Sequence, residues 1–424
     1  MPRKGTLTRR EFLKGAAAVA MGAPYVITSG VLVAQGQPAA TDRIQVAAIG
    51  VRARGNSLVE EVLKRDDGQI VAICDVDAKV REGRVKQVEE TYAKRAGEGS
   101  FKGVAAYNDF RELMQRKDID AVIIATPDHT HAVIAIAAAN AGKDIYVEKP
   151  MTHNIKEGQA MVKAVRENKV ILQVGSQRRS DSGVRKTCEL VRNGRIGKSH
   201  TVRVGIGVRP TEPELYQPEP VPEGFDYELW LGPAPWKPYT AKRCHYTFRF
   251  IRDYSGGEIT NFGAHHLDVA QWGIGADDSG PVEIEGAGEA FETGLYDTYH
   301  HFRVEYTYAN GVKVICSTEN KDGAHFEGTI PWEKADRSDI GPDGIHLYRT
   351  EAGHMGNWLE CIRTRKDPSA PVEIGHRSVT LCHLGNIAID LGRKVKWDPA
   401  KEEFPGDDMA NALRERSYRK PWIL

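Results

Sequence analysis

The 424-residue sequence carries no surplus of either charge. Its 58 lysines and arginines balance 58 aspartates and glutamates, and no long run of one sign occurs. No net field draws in nucleic acid or an anionic membrane, so neither partner is expected. Cysteine is scarce: Cys74, Cys188, Cys244, Cys316, Cys361 and Cys382 form no C-x-x-C pair and no zinc-type spacing. Most lie among apolar neighbours, as small core residues do. An oxidising location would permit disulfides, yet the spacing identifies no pair. The histidines also lack zinc spacing, and strand alternation would send His300 and His301 to opposite faces. No metal site is expected. After the N-terminal stretch no run of about 18 apolar residues appears, so no stable membrane insertion is expected.

What remains is an ordinary globular composition, 41% apolar and 27% charged, long enough for two or three cores. The first 41 residues stand apart. Thr8-Arg9-Arg10-Glu11-Phe12-Leu13-Lys14 resembles a twin-arginine export signal, and Gly15 to Ala34 is weakly apolar but broken by Gly22, Pro24, Ser29 and Gly30. Small residues between Ala34 and Ala40 suit cleavage. This implies export of a folded protein, to a periplasmic or other extracytoplasmic location, with any nucleotide loaded beforehand.

From residue 42 the pattern changes. Apolar runs at Arg43–Ile49, Gln69–Cys74, Ile119–Ala125 and Asp144–Val147 alternate with helical segments at 78–96 and His131–Ala141. Such alternation predicts a parallel sheet with crossover helices over residues 42–165. A bridging helix, Ile155–Asn168, leads to a strand at Val170–Val174 that could join the same sheet. Residues 166–395 read as a second domain. Ser199–Ile206, His301–Tyr308 and Gly311–Thr318 alternate as strands of an antiparallel sheet with one covered face, followed by helices at Met355–Arg365 and Arg377–Leu391. Residues 396–424 read as an extended tail. The expected fold is therefore α/β: an N-terminal Rossmann domain and a C-terminal α+β domain with an open, mainly antiparallel sheet.

The first strand and helix are joined by Gly50-Val51-Arg52-Ala53-Arg54-Gly55. In a G-x-G-x-x-G fingerprint the middle glycine admits the pyrophosphate to the helix N-terminus. Here Arg52 stands at that position, either blocking close approach or replacing it with a guanidinium. Asp75, 25 positions after Gly50, closes the second strand where a carboxylate binds the adenosine ribose and disfavours a 2′-phosphate. NAD is expected, NADP less so. Two further elements follow, Thr126-Pro127-Asp128-His129-Thr130-His131 and Glu148-Lys149-Pro150.

In their order and spacing these elements resemble the Gfo/Idh/MocA oxidoreductases. The resemblance continues through Gly175-Ser176-Gln177-Arg178-Arg179 and Gly257-Glu258-Ile259-Thr260-Asn261 to His265-His266-Leu267-Asp268, and covers nearly all of residues 43–395. It implies that Lys149 stands beside the reacting carbon and handles the hydroxyl proton, aimed by a constrained bond to Pro150. Gly50, Arg52, Ala53, Asp75, Thr126, Pro127, His131, Glu148, Lys149 and Gln177 would meet the cofactor. Relatives carry Asp and then His four residues later; here His265 keeps the histidine, whereas Asn261 cannot accept a proton. Asp268, three residues on from His265, is either a catalytic partner on the same helix face or a brace. Arg178, Tyr254, Asn261, His265 and His266 are the candidate substrate contacts. The cluster from Cys244 to Tyr254 reads either as sugar-pocket lining or as a packed loop. The resemblance also implies a homo-oligomer that covers the open sheet.

Three functions fit: oxidation of a sugar, polyol or glycoside with tightly bound cofactor, glycoside cleavage through transient oxidation, or non-catalytic sugar or nucleotide binding.

Overall fold

The computed structural model describes residues 42–97 and 99–424. The export element and linker lie outside the described residues. Among those described, no helix is long and apolar enough to cross a membrane.

The chain opens with β1 (Ile44–Ile49), α1 (Ala53–Leu63), β2 (Gly68–Cys74), α2 (Ala78–Ala96), β3 (Ala105–Tyr107) and α3 (Phe110–Met114). It continues with β4 (Ala121–Ile124), α4 (Asp128–Asn140), β5 (Asp144–Val147), α5 (Ile155–Glu167) and β6 (Leu172–Val174). All six strands pair in parallel, in the order β3-β2-β1-β4-β5-β6. The continuous apolar runs follow from this: helices cover both faces, and every residue of β2, β4 and β5 is buried. The order reverses between β1 and β4. The crevice at their carboxyl ends is where ligands bind in such sheets. β6, from the bridging segment, pairs with β5 and completes this sheet.

The second half adds α6 (Ser182–Arg192), β7 (Ser199–Gly205), α7 (Tyr227–Leu231), α8 (Glu258–Asn261) and α9 (Gly263–Ile274). Then come β8 (Glu283–Glu289), β9 (His301–Thr307), β10 (Lys313–Ser317), β11 (Gly323–Gly328), α10 (Gly353–Thr364) and α11 (Val372–Leu391). The sheet order is β11-β7-β10-β9-β8-β12, where β12 is Val395–Lys396. Only the β7–β10 pair is parallel. Phe302, Val304 and Tyr306 of β9 enter the core under α9 and α11. The opposite face is polar and laced with ion pairs such as Arg203–Glu327 and Lys313–Glu305.

β8 and β11 escape a reading by alternation because each carries two glycines. In β8 these glycines let α11 approach: a Cβ on Gly286 would stand 2.8 Å from Ile389. Residues 396–424 are not the simple extended tail expected. They carry α12 (Asp408–Ala412) and fold back against the first domain, where Trp422 meets Phe110. All six cysteines are buried and unpaired.

The first domain does not complete its own core. α10, from far along the chain, lays Trp358 and Leu359 against Leu58, Val62 and Tyr146. Trp358 is fully buried. Trp358→Ala is therefore expected to cost about 3–5 kcal/mol in urea unfolding of the whole chain, although it lies far along the chain from Tyr146 of β5, which its ring meets.

Candidate active site

The β1–α1 turn is built by its outer glycines. Gly50 has φ +78°, and a Cβ there would meet Ala125 and Thr126 backbone at 2.8 Å. A Cβ on Gly55 would lie 1.9 Å from the Gly50 carbonyl. The middle position carries Arg52, whose guanidinium pairs with Asp77, 2.6 Å away, along the wall of the crevice. That leaves the amide N-terminus of α1 facing the crevice, a fitting seat for a pyrophosphate. Asp75 is buried and accepts from the Val51 and Asp77 amides at 2.8 and 3.0 Å. One carboxylate thus ties the glycine turn to the end of β2 and keeps lone pairs for a ribose diol. Burial raises its pKa.

Two cavities meet at this turn. The smaller, about 140 Å³, is lined by Gly50, Asp75, Thr126 and Pro127 among apolar and aromatic side chains. The larger, about 820 Å³, runs past Arg52, Ala53 and Thr126 to Glu148, Lys149, Gln177, Asn261 and His265. Together they form a cleft between the sheet's switch point and α8–α9, sharing Arg52, Ala125, Thr126, His245 and Phe248, in the place where such folds hold a dinucleotide. The residues present fit one.

At the far end Lys149 leaves β5 and crosses to the second domain. Its Nζ donates to Asn261 Oδ1 at 2.8 Å and to the Asn261 carbonyl at 3.0 Å. The Lys149–Pro150 bond is cis. Burial pulls the ammonium below its ordinary pKa, opposed by Glu148 and Asp128, assisted by Arg249 and opposed again by Glu258. Asn261 is itself oriented: its Nδ2 donates to Glu258 Oε2 at 3.1 Å, which turns Oδ1 toward the lysine. The carboxylate missing at position 261 is thus supplied one hydrogen bond further away. Glu148 is held by Arg54 at 2.7 Å and Gln177 at 3.0 Å. His265 lines the cavity with its Nδ1 unpartnered, and burial beside Lys149 drives its pKa to about 2. It is a neutral imidazole, suited to hydrogen bonding rather than to carrying charge.

Several expected site residues lie elsewhere. Asp268 is fully buried behind the cleft, gripped by Arg179 at 2.8–3.0 Å and by Ser378 at 2.5 Å. It is a brace and not a catalytic group, because no solvent or substrate reaches it. His266, one residue past His265, turns about 100° round the helix and binds the Gly205 carbonyl at 3.0 Å, away from the cavity. Tyr254 is fully buried between His129 and Trp230. His131 borders the larger cavity, yet both ring nitrogens are spent on the Pro150 and Thr126 carbonyls at 2.8 and 2.9 Å. It positions the loop that carries Lys149. Arg178 is exposed and not a lining residue, although its charge helps depress His265.

The Cys244–Tyr254 cluster divides. His245, Tyr246, Phe248 and Arg249 line the larger cavity, whereas Cys244 and Tyr254 pack in a core. The sequence reading missed Asp128, a lining carboxyl bonded to Ser255 at 2.5 Å, and Glu258. Both stand inside the quoted motifs, and only folding brings them beside Lys149. Among the described residues no group of three or more His, Cys, Asp or Glu side chains is placed to hold a metal.

Residues 44–176 match the NAD-binding Rossmann fold of the GFO_IDH_MocA oxidoreductase family, and residues 189–424 match its C-terminal alpha/beta domain. The chain belongs to the Gfo/Idh/MocA family. It is similar to the myo-inositol 2-dehydrogenase of Thermotoga maritima, 32% identical over 378 residues that span 84% of this chain and 99% of that protein. A glycosyl hydrolase family 109 protein of Stenotrophomonas maltophilia is 35% identical over 139 residues, covering 32% of this chain and 28% of that one. In fold, the chain is similar to the WlbA dehydrogenase of Bordetella pertussis, solved with NADH and UDP-GlcNAcA. The TM-score is 0.61 and the identity 17%, over 84% of this chain and 99% of that one. The protein is therefore an NAD-dependent oxidoreductase of this family.

Two outcomes follow from the electrostatics. The depressed Lys149 and the neutral His265 give kcat/KM one ascending limb, ending below the ordinary lysine pKa, with no histidine inflection near pH 6.5. Asn261→Asp places an anion on the ammonium, favours its charged form and moves that limb to higher pH by about one unit. A pH–rate profile checks both; an unmoved limb removes Lys149 from the titration. Asp268→Ala leaves the buried Arg179 guanidinium with Asp277 as its remaining carboxylate partner, an expected loss of about 3 kcal/mol in equilibrium unfolding.

Proposed function

We propose that the protein oxidises a secondary alcohol of a sugar, polyol or glycoside, using NAD that stays bound between turnovers. The observation that carries this reading is the buried Lys149 at the end of the dinucleotide cleft, with a depressed pKa and only amide oxygens as its acceptors. Bound NAD supplies the hydride acceptor. Neutral Lys149 takes the hydroxyl proton as the C–H bond gives up its hydride. Glu258 holds Asn261, and Asn261 holds the amine in place. Uncharged His265 can accept or donate a hydrogen bond to a neighbouring hydroxyl. Tyr246 and Phe248 offer aromatic faces to a sugar ring.

Retention of the cofactor rests on the Thr8–Lys14 element, read as a signal for folded export to the periplasm. Free nicotinamide nucleotide is scarce there, so a second carbohydrate has to take the hydride back within each cycle. The polar open face of the second sheet would suit a further copy of the chain.

A second reading is glycoside cleavage through transient oxidation, in which the new ketone acidifies the neighbouring C–H and a substituent is eliminated. The 35% identity to the family 109 glycosyl hydrolase favours it. Absorbance at the reduced-nicotinamide band separates the two. Lasting reduction by one sugar and reoxidation by another supports the oxidoreductase, and bond cleavage without lasting reduction supports the alternative. Lys149→Met is expected to lose turnover by about 100-fold or more while releasing a full complement of nucleotide on denaturation. Full activity in that variant would overturn the role of the lysine.

A further inference from the structure

The adenosine end of the cleft has an unusual wall. The smaller cavity beside Gly50 and Asp75 is closed partly by the first domain, through Phe110 and Ile134, and partly by the second, through Leu229 and Trp230. Trp422, third from the end of the chain, also lines it. Its indole stacks on Phe110 at 6.2 Å between centroids with 24° between planes, and the Arg111 guanidinium lies 5.6 Å from its ring.

The segment before it is not loosely laid. The Arg414 carbonyl accepts from the Lys156 amide at 3.0 Å. Arg416 donates to the His129 carbonyl at 2.8 Å on α4 and to the Asp253 carbonyl at 3.2 Å in the second domain. Arg416 and Tyr418 both contact the fully buried Glu157 carboxylate, at 3.1 and 2.9 Å. Arg419 then grips the Gly232 and Glu228 carbonyls at 3.0 Å and the Glu228 carboxylate at 2.5 Å. These charge-assisted bonds reach across both domains and end at the mouth of the cavity.

We propose that residues 414–424 are a strap that retains the nucleotide, with Trp422 as the outer wall of its adenosine site. The proposal rests on the reading that NAD stays bound between turnovers. The chemistry of the cavity suits that ligand: flat apolar and aromatic walls for a purine, and the Asp75 carboxylate for a ribose diol. To leave through this end, the nucleotide has to displace the indole, and the indole is anchored by the Arg419 clamp. The strap therefore acts on the rate of release more than on the chemistry at Lys149, which lies at the opposite end of the cleft.

The test follows NADH leaving the full-length protein, chased with excess ADP-ribose and read by nicotinamide fluorescence. Wild type is expected to release slowly. Trp422→Ala and Arg419→Ala should each release at least about tenfold faster, a loss of about 1.4 kcal/mol in the barrier. Trp422→Phe should restore most of the retention, which also guards against an alanine variant that folds poorly. If wild type holds nucleotide but Trp422→Ala and Arg419→Ala release it no faster, the strap is overturned and the bound-cofactor reading stands. If wild type holds none and binds none, that reading falls and takes the strap with it.

Discussion

Lys149 leaves a parallel strand of one domain and finds its two oxygen acceptors on the other. An amine exposed to water would stay an ammonium at neutral pH and could take no proton. Closing the second domain over it removes the water, lowers its pKa and replaces hydration with Asn261. The parts of the structure that bring the domains together therefore bear on this one amine. The β5–β6 pair places it, His131 ties its loop to the β4 end, and α8 delivers its acceptor.

The two domains are interleaved more deeply than chain order implies. α10 supplies Trp358 to the nucleotide domain's core, and the C-terminal segment returns to the same domain at Phe110. The buried Arg179–Asp268 pair ties the segment after β6 to α9. A charge pair this deep is expensive to desolvate and worse to break. Its position behind the cleft fixes the helix that carries His265.

Much of the fold was legible because its signals are local. A strand covered on both faces is an uninterrupted apolar run, so β1, β2, β4 and β5 announced themselves. β8 did not, because close packing by α11 demands glycine at Gly286, where a strand reading wants a branched side chain, and β11 did not, because at Gly328 the Ile196 carbonyl leaves no room for a Cβ. The site divided along a similar line. Gly50, Asp75, Lys149, Asn261 and His265 sit where strands and helices end, and the motif marks such positions. Glu258 and Asp128 were overlooked because their significance is a distance to Lys149, which no spacing along the chain encodes.

The Glu148-Lys149-Pro150 and Thr126–His131 elements determine by themselves that this is a two-domain oxidoreductase of a known family. The composition determines that neither nucleic acid nor an anionic membrane is drawn to it by charge. Only the tertiary structure decided which polar residues of one helix do chemistry. His265 and Asp268 are three positions apart, and both were candidates on paper. A few ångströms of burial leave one facing the cleft and lock the other against Arg179. The same holds for Arg52, an anomaly in the fingerprint until its guanidinium is seen to pair with Asp77 along the wall of the cleft. Backbone periodicity is written residue by residue; the dielectric and the partner of a charge are set only when distant segments pack.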